Sequence, residues 1–162
     1  MLEEQIGLNM YNGLLAKKLT KEDIEGLLKE CYEKIAMNPI SLPYFKEVTL
    51  EDLKTFFHTY ENYGYYAIGF IDPKSLEIVG VCLFNKGSPW YNPRLKVLSE
   101  ECTIALKRGY GITRAICEYM LQCKASKEVD LVMASSANKC VENLIENTYA
   151  KYGFSTYKTY YK

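Results

Sequence analysis

Histidine is nearly missing from this chain: His58 is the single one among 162 residues. Six cysteines are present, and none stands in a Cys-x-x-Cys pair. Together these absences argue against a structural or catalytic zinc site. A net charge is missing too, since Lys+Arg and Asp+Glu both number 20. With no global basic field, neither a nucleic acid nor an anionic membrane surface is expected as partner. No apolar run approaches the roughly 20 residues that span a bilayer. The acidic start, Met1-Leu-Glu-Glu-Gln, lacks the apolar core of a secretory signal. Most of the cysteines lie among apolar neighbours, where a free thiol behaves as a small hydrophobe. That usage fits a reducing compartment, so the expected location is the cytoplasm.

What is present reads as one domain over 1–162, long enough to bury a core without staples. The lysines and glutamates of the N-terminal third alternate in sign and read as solvated helix faces. Leu14 to Leu19 predicts a first strand. Thr20, with Asp23 three residues on, signals a capping box, and Ile24, Leu27, Leu28, Cys31 and Ile35 carry a helix to about Ala36. Thr49 opens a second helix through Leu53, Phe56, Phe57 and Tyr60. Two strands follow, Tyr65 to Ile71 and Ile78 to Asn85, about a turn at Asp72-Pro73-Lys74-Ser75. A loop, Gly87 to Pro93, carries Trp90 and Tyr91. Lys96 to Leu106 is the next strand, Ile112 to Gln122 a helix, and Asp130 to Ser135 a buried strand. Val141 to Ala150 is the last helix and Phe154 to Tyr161 a final strand. The order β-α-α-β-β-β-α-β-α-β implies a mixed sheet of about six strands with helices on both faces. Its strand-helix-strand unit is expected to pair in parallel.

The connection Arg108-Gly109-Tyr110-Gly111-Ile112-Thr113 joins a strand to a helix. Glycines there let the backbone come close to a ligand or take positive φ. The first amides of the helix have no internal partner, and the dipole adds partial positive charge, a combination that favours an anion. Arg108 can grip a phosphate bidentately.

In that setting Arg108, Gly111 and Thr113 resemble the Gln/Arg-x-x-Gly-x-Gly/Ala signature of the GCN5-related N-acetyltransferase (GNAT) superfamily. Thr113 departs from the usual Gly or Ala. Downstream, Tyr149-Ala150-Lys151-Tyr152-Gly153-Phe154 is similar to the family's Tyr-x-x-x-Gly-Phe. The resemblance covers Leu14 to Tyr161 and implies a mixed α/β GNAT fold, mostly antiparallel. It also implies acetyl-CoA as co-substrate and acetyl transfer to an amine by direct attack. The acceptor would be a small-molecule amine, or a protein lysine or N-terminus, and a homodimer stays open. Backbone groups of Ile104, Ala105 and Leu106 would hold the pantetheine arm. The amides of Arg108, Gly109, Tyr110, Gly111, Ile112 and Thr113 would hold the pyrophosphate. Tyr149 would protonate the departing thiolate.

Glu100 and Glu101 sit inside an otherwise apolar strand, where a buried carboxylate needs partners. Successive strand residues face opposite sides, so one faces an acceptor cleft while the other meets a helix or solvent. By resemblance to the histone-acetylating branch, Glu100 is the nearer match for the base, with Glu101 in reserve. Asn138 falls where family members contact the coenzyme, although a plain loop or cap role fits it as well. Trp90 and Tyr91 read equally as acceptor lining, an interface, or a pair packed over a sheet edge. His58 reads as a helix surface residue. Cys102 and Cys140 have no base nearby in sequence to make them nucleophiles. The rival to an enzyme is a GNAT-fold structural or interaction protein that has lost catalysis. The Trp90-Tyr91 loop followed by Glu100-Glu101 is also similar to small phage-encoded GNAT-like proteins.

Overall fold

A computed structural model describes residues 9–37, 47–135 and 142–157. The first strands, β1 (Met10–Tyr11) and β2 (Leu14–Lys18), form a hairpin about Asn12-Gly13. Both turn residues have positive φ, 47° and 76°, the geometry that matches the twist of paired strands and selects Asn-Gly. Helix α1 (Lys21–Met37) starts at the expected box: the Thr20 amide donates to Asp23 Oδ2 at 2.9 Å, and the Asp23 amide to Thr20 Oγ1 at 3.2 Å. Helix α2 (Leu50–Thr59) is capped in the same way by Thr49 and Asp52, then tightens into a 3₁₀ turn, Tyr60–Tyr63.

Strands β3 (Tyr65–Ile71), β4 (Ile78–Gly87) and β5 (Val97–Ala105) form an antiparallel meander. Helix α3 (Ile112–Ala125) then crosses over to β6 (Leu131–Met133), which pairs with β5 in parallel. Helix α4 (Glu142–Lys151) follows. The sheet order is β1-β2-β3-β4-β5-β6.

Each face of the sheet buries its own core. On one face Phe70, Val79, Phe84 and Leu98 pack against Ile112, Ala115, Ile116 and Met120 of α3. On the other, Leu19 and Ala67 meet Ile24 and Leu28 of α1, with Tyr60 and the α2 residues Phe56 and Phe57. No helix among the described residues is long and apolar enough to cross a membrane.

The structure differs from the sequence expectation at three strands. The short strand β1 was not anticipated, although Asn12-Gly13 is its signal. The segment Asp130 to Ser135 shortens to Leu131–Met133 and is half-buried rather than buried, with Leu131 39% exposed, because among the described residues β6 pairs only with β5. The expected strand from Phe154 is absent over Phe154–Tyr157, and its remainder lies outside the described residues.

The cause of that last difference is the end of α4. The Phe154 amide donates to the Tyr149 carbonyl at 3.1 Å, and the Gly153 amide to the Ala150 carbonyl at 3.0 Å. This is a Schellman motif with Gly153 at φ 87°, and it folds Phe154 back onto Tyr149 with ring centroids 5.4 Å apart. A methyl at Gly153 would meet nothing within 4 Å, so Gly153→Ala isolates the backbone strain. It should destabilise the protein by about 1 kcal/mol, lowering Tm by about 2–4 °C, with a smaller loss for Gly153→Asn. Equal Tm values for wild type and Gly153→Ala, read by differential scanning calorimetry, would refute this account of the helix end.

Candidate functional site

The parallel pairing of β5 with β6 runs only through Val97–Leu131, Leu98–Val132 and Ser99–Met133. Beyond Ser99 the two strands part, and among the described residues Glu100 to Ala105 keep only β4 as a partner. Alternate backbone groups along that stretch therefore face an edge on which no described strand lies. Ile104 and Ala105 lie on this free stretch, whereas the Leu106 amide is already bound to the Val79 carbonyl at 2.9 Å.

A bulge lies in the same stretch. Phe84 is opposite Glu100 and Leu83 is opposite Cys102, which leaves Glu101 as the extra residue. A bulge resets the alternation of side chains. Glu101, Cys102 and Ile104 consequently face the α1–α2 side, and Glu100 and Thr103 face the α3 side together.

The two glutamates thus part company. Glu100 is buried at 6% exposure. It accepts from Thr103 Oγ1 at 2.7 Å, from the Ser135 amide at 3.0 Å and from Ser135 Oγ at 3.3 Å. Burial pushes its carboxyl up, with those hydrogen bonds pulling the other way. Its side chain ties β5 to the chain just past β6, at the apex where the strands separate. Glu101 instead opens onto an apolar cavity between α1, α2 and the sheet, and burial raises its carboxyl as well. Glu100, the expected base, is thus a buried and hydrogen-bonded carboxyl, and it is Glu101 that lines a cavity. A period of two sets the glutamates on opposite faces but does not say which face is packed and which opens onto a cavity.

Past the free edge, the chain enters the glycine turn. Gly109 and Gly111 take φ of 86° and 65°, and Gly111 is the N-cap of α3. No side chain caps this helix and no acidic residue sits in its first turn, whereas α1 and α2 carry Glu22, Asp23, Glu51 and Asp52 there. The amides of Arg108 to Arg114 donate to no acceptor among the described residues. Arg108 and Arg114 are both exposed beside them. Free amides, a dipole and two cations leave this end of α3 suited to an external anion. Thr113 is half-buried in the first turn.

Three contacts brace the turn. Asn12 Nδ2 donates to the Gly111 carbonyl at 3.1 Å and lies so close that a Cβ on Gly111 would come within 2.4 Å of it. The Tyr110 hydroxyl donates to Asp72 Oδ2 at 3.3 Å, and Lys107 pairs with Glu77. The sequence reading missed Asn12 and Arg114. Arg114 was findable as a cation in the first turn of a helix, but Asn12 needed the hairpin to be known.

Tyr149 lies on α4 near Glu100. Burial first, and then the Glu100 charge, hold its phenol well above the ordinary value. It is therefore a neutral donor at physiological pH, and its hydroxyl has no acceptor among the described residues. Burial also pushes the thiol of Cys102 to about 12 and that of Cys31 to about 11. Both stay protonated and unreactive at neutral pH. His58 is exposed on α2. Trp90 and Tyr91 project at 92% and 71% exposure and touch edge-to-face, so they do not pack over a sheet edge. Asn138 and Cys140 lie outside the described residues.

No protein-family model matches the chain, and neither does any curated protein. Solved structures do resemble it. A Trypanosoma brucei acetyltransferase is 17% identical, with 92% of this chain and 97% of that one covered at a TM-score of 0.61. A predicted acetyltransferase from Clostridium acetobutylicum, solved with acetyl-CoA, is 15% identical over 92% and 94% at 0.58. An aminoglycoside acetyltransferase from an uncultured soil sample is 14% identical over 92% and 96% at 0.64. The chain has the mixed α/β fold of these acetyltransferases.

The clamp at Glu100 carries a pH signature. A raised carboxyl binds its proton more readily when folded, so its contribution to stability is full below the ordinary value and fades as pH rises through the folded one. The Tm advantage of wild type over Glu100→Gln should therefore shrink as pH rises above the ordinary carboxyl range, as read by thermal melts. An advantage that grows with pH would contradict the assignment.

Proposed function

We propose that this chain, acting as one acyltransferase domain, moves an acetyl group from acetyl-CoA to an amine by direct attack. The observation that carries the reading is the strand edge left open beyond Ser99, leading into a glycine turn whose amides, Arg108 to Arg114, are unpaired. The likeness in fold to a protein solved with acetyl-CoA supports it.

In this reading the amides of Arg108, Gly109, Tyr110, Gly111, Ile112 and Thr113 receive the pyrophosphate, and Arg108 and Arg114 add charge-assisted bonds. The open edge at Ile104 and Ala105 binds the pantetheine amides. The amine nitrogen attacks the thioester carbonyl, a C–N bond forms, and the C–S bond breaks. Glu101 takes the proton that the ammonium must lose, directly or through water, which suits a carboxylate whose affinity for protons burial has raised. Tyr149 supplies a proton to the thiolate. Glu100 is a positioning residue that holds the strands apart at their apex. No acyl-enzyme is invoked, in keeping with the protonated thiols of Cys31 and Cys102.

The rival reading, an interaction module of the same fold, draws on the exposed pair Trp90 and Tyr91. A phage origin rests on the likeness of that loop alone. Titration calorimetry separates enzyme from module. Acetyl-CoA should bind saturably at one site, and Arg108→Ala should weaken it roughly tenfold, the scale of a hydrogen bond to a charged group. No heat and no thermal stabilisation at millimolar acetyl-CoA would overturn the proposal.

A further inference from the structure

On the α1–α2 side of the sheet lies a cavity of about 260 Å³. Leu27, Leu28, Phe56, Phe57, Leu83 and Ile104 are among its walls, and among the described residues Glu101 is the one charged side chain that lines it. Its size falls just under the roughly 300–1,000 Å³ of sites for drug-sized ligands. Glu101 and Ile104 belong to the same stretch of β5 whose other edge is left open by β6, so the cavity and the coenzyme edge share a wall.

A wall of this composition selects by chemistry. A polycationic acceptor needs several acidic or polar partners for its ammonium and hydroxyl groups, and each one left unpaired on burial carries a desolvation penalty. One carboxylate satisfies one ammonium. The remaining surface rewards aliphatic or aromatic carbon. We propose that the acceptor is a small primary monoamine with an apolar body, seated with its carbon skeleton between α1, α2 and the sheet and its nitrogen at Glu101. The proposal rests on the acetyl-transfer reading above, and it parts from the aminoglycoside named for one structural neighbour.

The test measures kcat/KM with acetyl-CoA for straight-chain amines from butylamine to octylamine, phenethylamine, kanamycin and a lysine-containing peptide. The value should rise roughly fourfold per added methylene until the cavity is full. Phenethylamine should outperform kanamycin and the peptide. Glu101→Gln should lower kcat/KM for octylamine at least tenfold while leaving coenzyme A affinity, read by calorimetry, unchanged. A flat response along the amine series, or preferred turnover of kanamycin or the peptide, would overturn the apolar acceptor while leaving acetyl transfer standing. Coenzyme binding without turnover of any amine also counts against it. Failure to bind acetyl-CoA at all would remove the underlying reading instead, so the two failures are distinguishable.

Discussion

The brief parallel pairing of β5 with β6 is the constraint on which the rest of the molecule depends. It lasts from Val97–Leu131 to Ser99–Met133 and then stops. Were it to continue, the backbone of Ile104 and Ala105 would be consumed by a neighbouring strand, leaving no edge for a ligand. Glu100 holds the separation at its apex, where it gathers the Ser135 amide and the Ser135 and Thr103 hydroxyls. A carboxylate this deeply buried survives because its oxygens are hydrogen-bonded. Glu101, next to it, faces the opposite side by strand alternation, and the bulge there sets Cys102 beside it and returns Thr103 to the face of Glu100. Two adjacent carboxyls thus lie in different surroundings on either side of one sheet.

The glycine turn depends on the same divergence, since it begins where the free edge ends. Its shape is maintained from outside: the β1–β2 hairpin reaches it through Asn12, and the β3–β4 turn reaches it through Asp72. Such bracing keeps unpaired amides aligned in advance, so an arriving anion has little ordering left to impose. The price is local, namely two residues in left-handed backbone conformation that glycine alone takes readily.

Much of this was legible from residue patterns. Capping boxes at Thr20 and Thr49 and the meander from Tyr65 follow from short-range chemistry, and so do the turn before α3 and Gly153 at the end of α4. These features were read correctly because each is set by its immediate neighbours. Which of the two adjacent glutamates would be buried was not legible, because that depends on what packs over each face of β5, which periodicity within one strand does not encode. Asn12 was invisible as a brace for a related reason: its partners, Tyr110 and Gly111, are distant in sequence. The expected strand is absent over Phe154–Tyr157, where a Schellman turn, itself signalled by Gly153, folds an apolar residue back onto its own helix. The composition of the cavity could not be seen until α1 and α2 were placed against β5.

The central claim, that this divergence and this turn form a cradle for coenzyme A, is tested most directly by amide-resolved NMR of the isotope-labelled protein titrated with coenzyme A. Saturable shifts concentrated at Arg108 to Arg114 and along Glu101 to Ala105 are the predicted result. Saturable shifts confined to other parts of the sheet, or none at millimolar coenzyme A, would contradict it.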